Sequence, residues 1–219
     1  MEQTKFQVKA ILLDLDGTIV DSKEAYVESL KKACAASHLE NVNPKLAVEI
    51  PRKLEQNMPI NDLVQVSDVK RFLETYLKAY YQATAEKTRP MPNVAEALDK
   101  LSRKAKLALI TMRFVSKDKI VWELEKFGLM KYFRYVVTAL DTNTPKPSPE
   151  ALIKCANYMN VQTCECLVVG DSVADVKAGK RAKIATVAVL SGIFSRQELE
   201  SEKPDLILES VVQLPDFLK

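Results

Sequence analysis

The chain has 219 residues, 47% of them hydrophobic and 28% charged, with 32 basic residues against 29 acidic ones for a net charge of +3. So balanced a charge, with no cluster of basic and aromatic residues, argues against nucleic acid as a partner. No apolar run approaches the roughly 20 residues of a membrane span and residues 1–9 carry no signal-peptide pattern, so we expect no membrane partner and a cytoplasmic location.

At this length a folded chain buries roughly 70% of its unfolded surface and needs no staple to be stable. The four cysteines, Cys34, Cys155, Cys164 and Cys166, accordingly read as reduced thiols. A metal reading of the C-x-C at 164–166 has only His38 to complete it.

Residues 8–22, VKAILLDLDGTIVDS, open as an apolar run suited to a central parallel strand covered on both faces. The run ends in Asp14 and Asp16, whose spacing puts both carboxylates on one face of an extended strand. Gly17 and Thr18 then turn the chain out of the sheet. Asp21 or Ser22 opens a helix, with Glu24 three residues after Asp21 as in a capping box and Tyr26, Leu30, Ala33 and Cys34 as its apolar stripe. Asn43-Pro44 starts a short helix that Pro51 is expected to interrupt or restart. From about 67 to 82, Val69, Phe72, Leu73, Tyr76, Leu77 and Tyr80 follow helical spacing. Residues 23–89 therefore read as all-helical.

After Pro90-Met91-Pro92 the pattern changes to alternation, and Asn93 with Glu96 suggests a second capping box. Helices at 93–103, 116–126, 148–159, 173–182 and 195–200 lead into strands at 106–111, 134–138, 166–169, 184–190 and 206–208, with a C-terminal helix beyond. Such alternation means a parallel sheet with helices on both faces. The expected architecture is an α/β core, 1–20 with 90–219, and a helical insert at 21–89. Cleft residues are expected at the carboxyl ends of the strands. There stand Asp14 and Asp16, Thr111 followed by Met112 and Arg113, Lys146, and the run Gly170-Asp171-Ser172-Val173-Ala174-Asp175.

Four carboxylates near one another cannot all ionise without a cation. Three of them with a backbone carbonyl and waters make an all-oxygen octahedral site suited to magnesium. One carboxylate can be a nucleophile, and a second, two residues on, can act as acid and then base. A lysine, a threonine hydroxyl and backbone N–H groups can hold the oxygens of a phosphoryl group in transfer.

With DLDGT at 14–18, Thr111, KPSPE at 146–150 and GDSVAD at 170–175, the chain resembles the haloacid dehalogenase superfamily of hydrolases, in particular its phosphoglycolate phosphatase-like subgroup. The resemblance implies a Rossmann-like core with parallel strand order 5-4-1-2-3 and an inserted helical cap domain. It also implies a magnesium-dependent phosphatase acting on a small phosphorylated metabolite, as a monomer or homodimer. By the same resemblance Asp14 is the nucleophile and Asp16 the acid and base. Asp14, the Asp16 carbonyl and Asp171 hold Mg2+, with Asp175 in the same shell or behind it. Thr111, the Met112 backbone and Lys146 bind the phosphate. Aspartate at 16 points to phosphoryl transfer from oxygen rather than dehalogenation. Met112 stands where a small residue is usual, and Lys183 where glycine is. A β-phosphoglucomutase-like phosphomutase and a pyrophosphatase share these residues, so both stay open, whereas the complete acid set argues against a non-catalytic scaffold. Substrate choice is expected from the helical insert, where Arg52 is a candidate contact and otherwise a solvated charge.

Overall fold

The computed structural model describes residues 5–40 and 42–219. In chain order the elements are β1 (Ala10–Asp14), β2 (Val20–Asp21), α1 (Lys23–Ala36), α2 (Leu46–Glu55), α3 (Val69–Lys87), β3 (Arg89–Pro90), α4 (Val94–Lys104), β4 (Lys106–Ile110), α5 (Lys117–Lys126), β5 (Phe133–Val137), α6 (Glu150–Tyr158), β6 (Cys166–Gly170), α7 (Val173–Arg181), β7 (Ala185–Val189), α8 (Arg196–Ser201) and β8 (Leu206–Leu208). The expected C-terminal helix is a 3-10 helix, Val211–Phe217.

Six strands form one parallel sheet in the order β5-β4-β1-β6-β7-β8. This is the implied order, with β8 added at one edge. Every residue of β1 is buried, as the apolar run requires of a strand covered on both faces. Ala10 and Leu12 of β1 pack with Ala108 and Ile110 of β4 against Leu152, Cys155 and Ala156 of α6. All four cysteines are free thiols.

The register positions the site. Asp14 stands opposite Ile110, so Thr111 lies one step beyond it, and Leu13 stands opposite Val169. Asp14, Thr111 and Asp171 are thereby brought to one level at the carboxyl ends of three adjacent strands. The chain runs from β1 outward in both directions, so β1 marks the reversal of strand order where open α/β sheets bind ligands.

The chain divides into two compact units, Met1–Val20 with Pro90–Lys219, and Asp21–Arg89. The second is helical. Its core joins Leu30, Ala33 and Cys34 of α1 to Ala47 and Ile50 of α2 and to Phe72 and Tyr76 of α3. Tyr26 stacks on Tyr80 with centroids 5.2 Å apart.

Local rules gave way in this unit and at its exit. Pro51 does not break α2 but lies inside it, buried with Ala47 and Ile50. Burial of that face offsets the hydrogen bond a helical proline forfeits. Helix α3 runs past 82 to Lys87, just short of Pro90, which disfavours the helical conformation before it. Val20–Asp21 and Arg89–Pro90 pair as a two-stranded sheet, so 23–89 is not wholly helical. Neither expected capping box forms. The helix opens one residue after Asp21, at Ser22, and Asp21 Oδ1 accepts from the Lys23 N–H at 3.0 Å instead of capping with Glu24, while Asn93, left-handed at φ 60°, lacks the extended backbone from which an N-cap side chain reaches its helix. Glu24 instead pairs with Lys87 at 2.8 Å, and Glu96 with Lys100 at 2.7 Å. Lys183 also adopts the left-handed conformation, φ 57°, which accounts for glycine being the usual residue at such a turn.

Candidate active site

Each motif reaches the site through its own element. Asp14 is the last residue of β1. Thr111, following β4, is buried and donates its backbone N–H to the Val137 carbonyl at 3.0 Å. Lys146 comes from the loop before α6, its peptide bond to Pro147 being cis. Asp171 and Ser172 follow β6, and Asp175 lies in the first turn of α7.

Lys146 Nζ donates to Asp14 Oδ1 at 2.5 Å and to Asp175 Oδ1 at 2.6 Å, all three side chains being buried. Asp175 Oδ2 accepts from Ser172 Oγ at 2.6 Å and from the Ser172 backbone at 3.2 Å, while Ser172 Oγ accepts from the Asp175 N–H. This reciprocal box at the head of α7 fixes Asp175 and leaves its other oxygen to Lys146.

Asp171 has a different environment. Its Oδ1 accepts from Thr18 Oγ1 at 3.2 Å, and no lysine or arginine among the described residues pairs with it. Burial first, and then the charges of Asp14 and Asp175, hold its carboxyl well above the usual carboxylate range. Burial likewise pushes Asp14 up to about 7, against the pull of Lys146. Burial works to strip the proton from Lys146, but its two carboxylate partners prevail and hold the ammonium above its ordinary range. One ammonium does not balance three buried aspartates. A ligand oxygen from each of Asp14, Asp171 and Asp175 lies within 4.8 Å of the others, so the three can hold a metal ion. An all-carboxylate donor set fits a hard divalent cation.

Asp16 does not join this cluster through its carboxylate. β1 ends at Asp14, so the alternation that would align the two side chains does not carry on to 16. Arg113 instead grips the Asp16 carboxylate with two parallel bonds, Nη2 to Oδ1 at 2.6 Å and Nε to Oδ2 at 2.8 Å. Its third nitrogen, Nη1, donates to Glu123 Oε2 on α5 at 2.6 Å. The sequence reading gave Arg113 no role and did not single out Glu123. The available signal was a glutamate on the same helix face as Ile120 and Leu124, a face that should be apolar.

Two residues of the β7–α8 loop were also missed. Ser191 Oγ donates to the Gly17 carbonyl at 2.6 Å. Gly192 lies so close to Asp171 that a Cβ there would fall 1.6 Å from Oδ2. A Cβ on Gly17, whose φ is +82°, would fall 2.5 Å from the same oxygen. The two glycines shape the cradle of Asp171. Met112 is partly exposed beyond β4. Arg52 belongs to the helical unit, inside α2, with Nη1 3.2 Å from Glu49. Among the described residues no helix is long and apolar enough to cross a membrane.

A parallel sheet with buried aspartates and a lysine gathered at its carboxyl end is the arrangement of an α/β fold with a polar site where such sheets bind ligands. The sequence matches the haloacid dehalogenase-like hydrolase family over residues 11–189, and the chain belongs to that family. It is 30% identical to the pyrophosphatase PpaX of Bacillus velezensis, over 96% of each chain. It is 28% identical to the phosphoglycolate phosphatase of Aquifex aeolicus, over 92% of each. The haloacid dehalogenase-like hydrolase SP0104 of Streptococcus pneumoniae has the same fold, with a TM-score of 0.82 at 16% identity, over 96% of this chain and 98% of that one.

Proposed function

We propose that this chain is a magnesium-dependent phosphatase that cleaves a small phosphorylated metabolite through a phosphoryl group carried on Asp14. The observation that carries this reading is the buried contact of Lys146 with Asp14, 2.5 Å, beside an Asp171 with which no lysine or arginine among the described residues forms an ion pair. Asp14, Asp171 and the Asp16 carbonyl would hold Mg2+, with Asp175 fixing Lys146 from behind. When bound, the ion neutralises charge on the nucleophile and the phosphoryl oxygens.

The residues then divide the work. An Asp14 oxygen attacks phosphorus, and the bond from phosphorus to the leaving oxygen breaks. Asp16 gives that oxygen a proton. Asp16 next takes a proton from a water molecule whose oxygen attacks the phosphorus of the acyl phosphate, releasing inorganic phosphate and restoring Asp14. Lys146, the Thr111 hydroxyl and the Met112 N–H hold the phosphoryl oxygens as charge redistributes among them. The names of the two relatives point to pyrophosphate and phosphoglycolate as the first substrates to try.

The test is phosphate release from a panel of phosphorylated metabolites with magnesium present, including those two. A sugar monophosphate with its bisphosphate belongs in the panel, because isomer formation without phosphate release would make the chain a mutase. Asp14→Asn should lower kcat by roughly 10⁴-fold or more, an amide being a poor nucleophile of nearly the same shape. Turnover of Asp14→Asn within tenfold of wild type would overturn the mechanism.

A further inference from the structure

Asp16, Arg113 and Glu123 form a second buried charge group beside the first. The Arg113 side chain is only 3% exposed, Asp16 11% and Glu123 6%. Removing three such groups from water is costly, and a well-packed apolar core does not need them. Their arrangement is specific. A guanidinium held by one carboxylate can still swing with it, but Arg113 is held from both sides. Glu123 fixes it on α5, and the backbone N–H of Arg113 donates to Thr111 Oγ1 at 3.2 Å. What remains of the fork meets both oxygens of Asp16. The Asp16 carboxylate is therefore oriented by a fixed partner and is not one of the carboxylates gathered at Asp14, Asp171 and Asp175.

We infer that Arg113 is the positioning residue for Asp16, with Glu123 as its anchor, an inference that rests on the phosphatase reading given above. Lys146 and Arg113 sort the carboxylates into two sets. One cation serves the aspartates that would surround the metal. The other holds Asp16 outside that set, so that its side chain is not drawn in as a further ligand and stays at the fixed place from which it would serve the leaving oxygen and then water. Arginine suits this task because its planar fork sets an angle as well as a charge, which a lysine ammonium does not. The Arg113 side chain is 3% exposed and commits its three nitrogens to Asp16 and Glu123, so its role in the reaction would pass through Asp16.

The test is a double-mutant cycle on kcat with Arg113→Met and Asp16→Asn. Arg113→Met should lower kcat by about 100-fold, the scale of a misplaced catalytic group, and leave KM within about threefold. Arg113→Lys should fall between that variant and wild type. Because Arg113 works through Asp16, Arg113→Met added to Asp16→Asn should cost no more than about twofold further. A structural role would make the two losses multiply. Should Arg113→Met fail to fold for want of a partner to Glu123, Arg113→Lys and the double variant Arg113→Met with Glu123→Gln carry the same cycle. Multiplying losses, or an Arg113→Met enzyme of wild-type kcat, would overturn the role of Arg113 while leaving the phosphatase reading intact. A wild-type protein that releases phosphate from no substrate would overturn both.

Discussion

Lys146 Nζ lies 2.5 Å from Asp14 Oδ1, although 132 residues separate the two in the chain. The contact favours the ionised form of Asp14, because the ammonium offsets a carboxylate that burial alone would neutralise, and that is the form the proposed nucleophile needs. Lys146→Met should leave Asp14, Asp171 and Asp175 buried together without a cation. The metal-free variant is expected to lose about 3–5 kcal/mol of stability, the usual result of breaking a buried pair. Magnesium should restore a larger share of the melting temperature than it adds to wild type. A metal-free melting temperature equal to that of wild type would show that Lys146 does not hold the cluster together.

Stability should depend on pH in a direction opposite to that of an ordinary paired carboxylate. Asp14 is raised from 3.8 to about 7, chiefly by burial, and Asp171 is raised as well. Between about pH 4 and pH 7 the metal-free folded protein thus binds more protons than the unfolded chain, and its stability falls as pH rises through that window. A divalent cation at the three aspartates removes this loss. The rise in melting temperature on adding magnesium should therefore be larger at about pH 8 than at about pH 5, by several degrees. Equal rises at both pH values would count against a cation held by these carboxylates.

Gly192→Ala tests the cradle of Asp171. A Cβ at 1.6 Å from Oδ2 forces either the loop or the carboxylate to move. The expected outcome is a folded protein whose magnesium affinity, measured by calorimetry, drops by about tenfold or more, a scale typical of disturbing the support of a metal ligand. Unchanged affinity would mean that the loop yields without disturbing Asp171.

Ser172→Ala removes both the cap of α7 and the donor to Asp175 Oδ2. Loss of the cap alone should cost about 1 kcal/mol. Because Asp175 is also the rear support of Lys146, kcat should fall as well, by about tenfold. A stability loss with no change in kcat would separate the cap from the site.

The sheet was legible in the sequence because its signals are short-range. Apolar runs of four to six residues alternating with helical spacing impose a parallel sheet, and acidic residues that end such runs must lie where the strands leave the core. Asp14, Thr111 and Asp171 each follow from that logic as residues at the ends of such runs, and the register of β1 with β4 and β6 only aligns them; Lys146, in the loop before α6, was singled out by its motif instead. Side-chain partners at long range were not legible. Arg113 meets Asp16 across 97 residues, and Glu24 meets Lys87 across 63. Local geometry competes with such pairings and can lose to them, as the capping box expected of Glu24 did. Pro51 inside α2 is the same effect in an apolar setting, where burial outweighs a local preference. Periodicity and residue type determine which groups arrive at the end of the sheet. Which carboxylate faces which cation depends on where β1 stops and on the loops after β4 and before α6 that bring in Arg113 and Lys146, and only the assembled tertiary structure decides that.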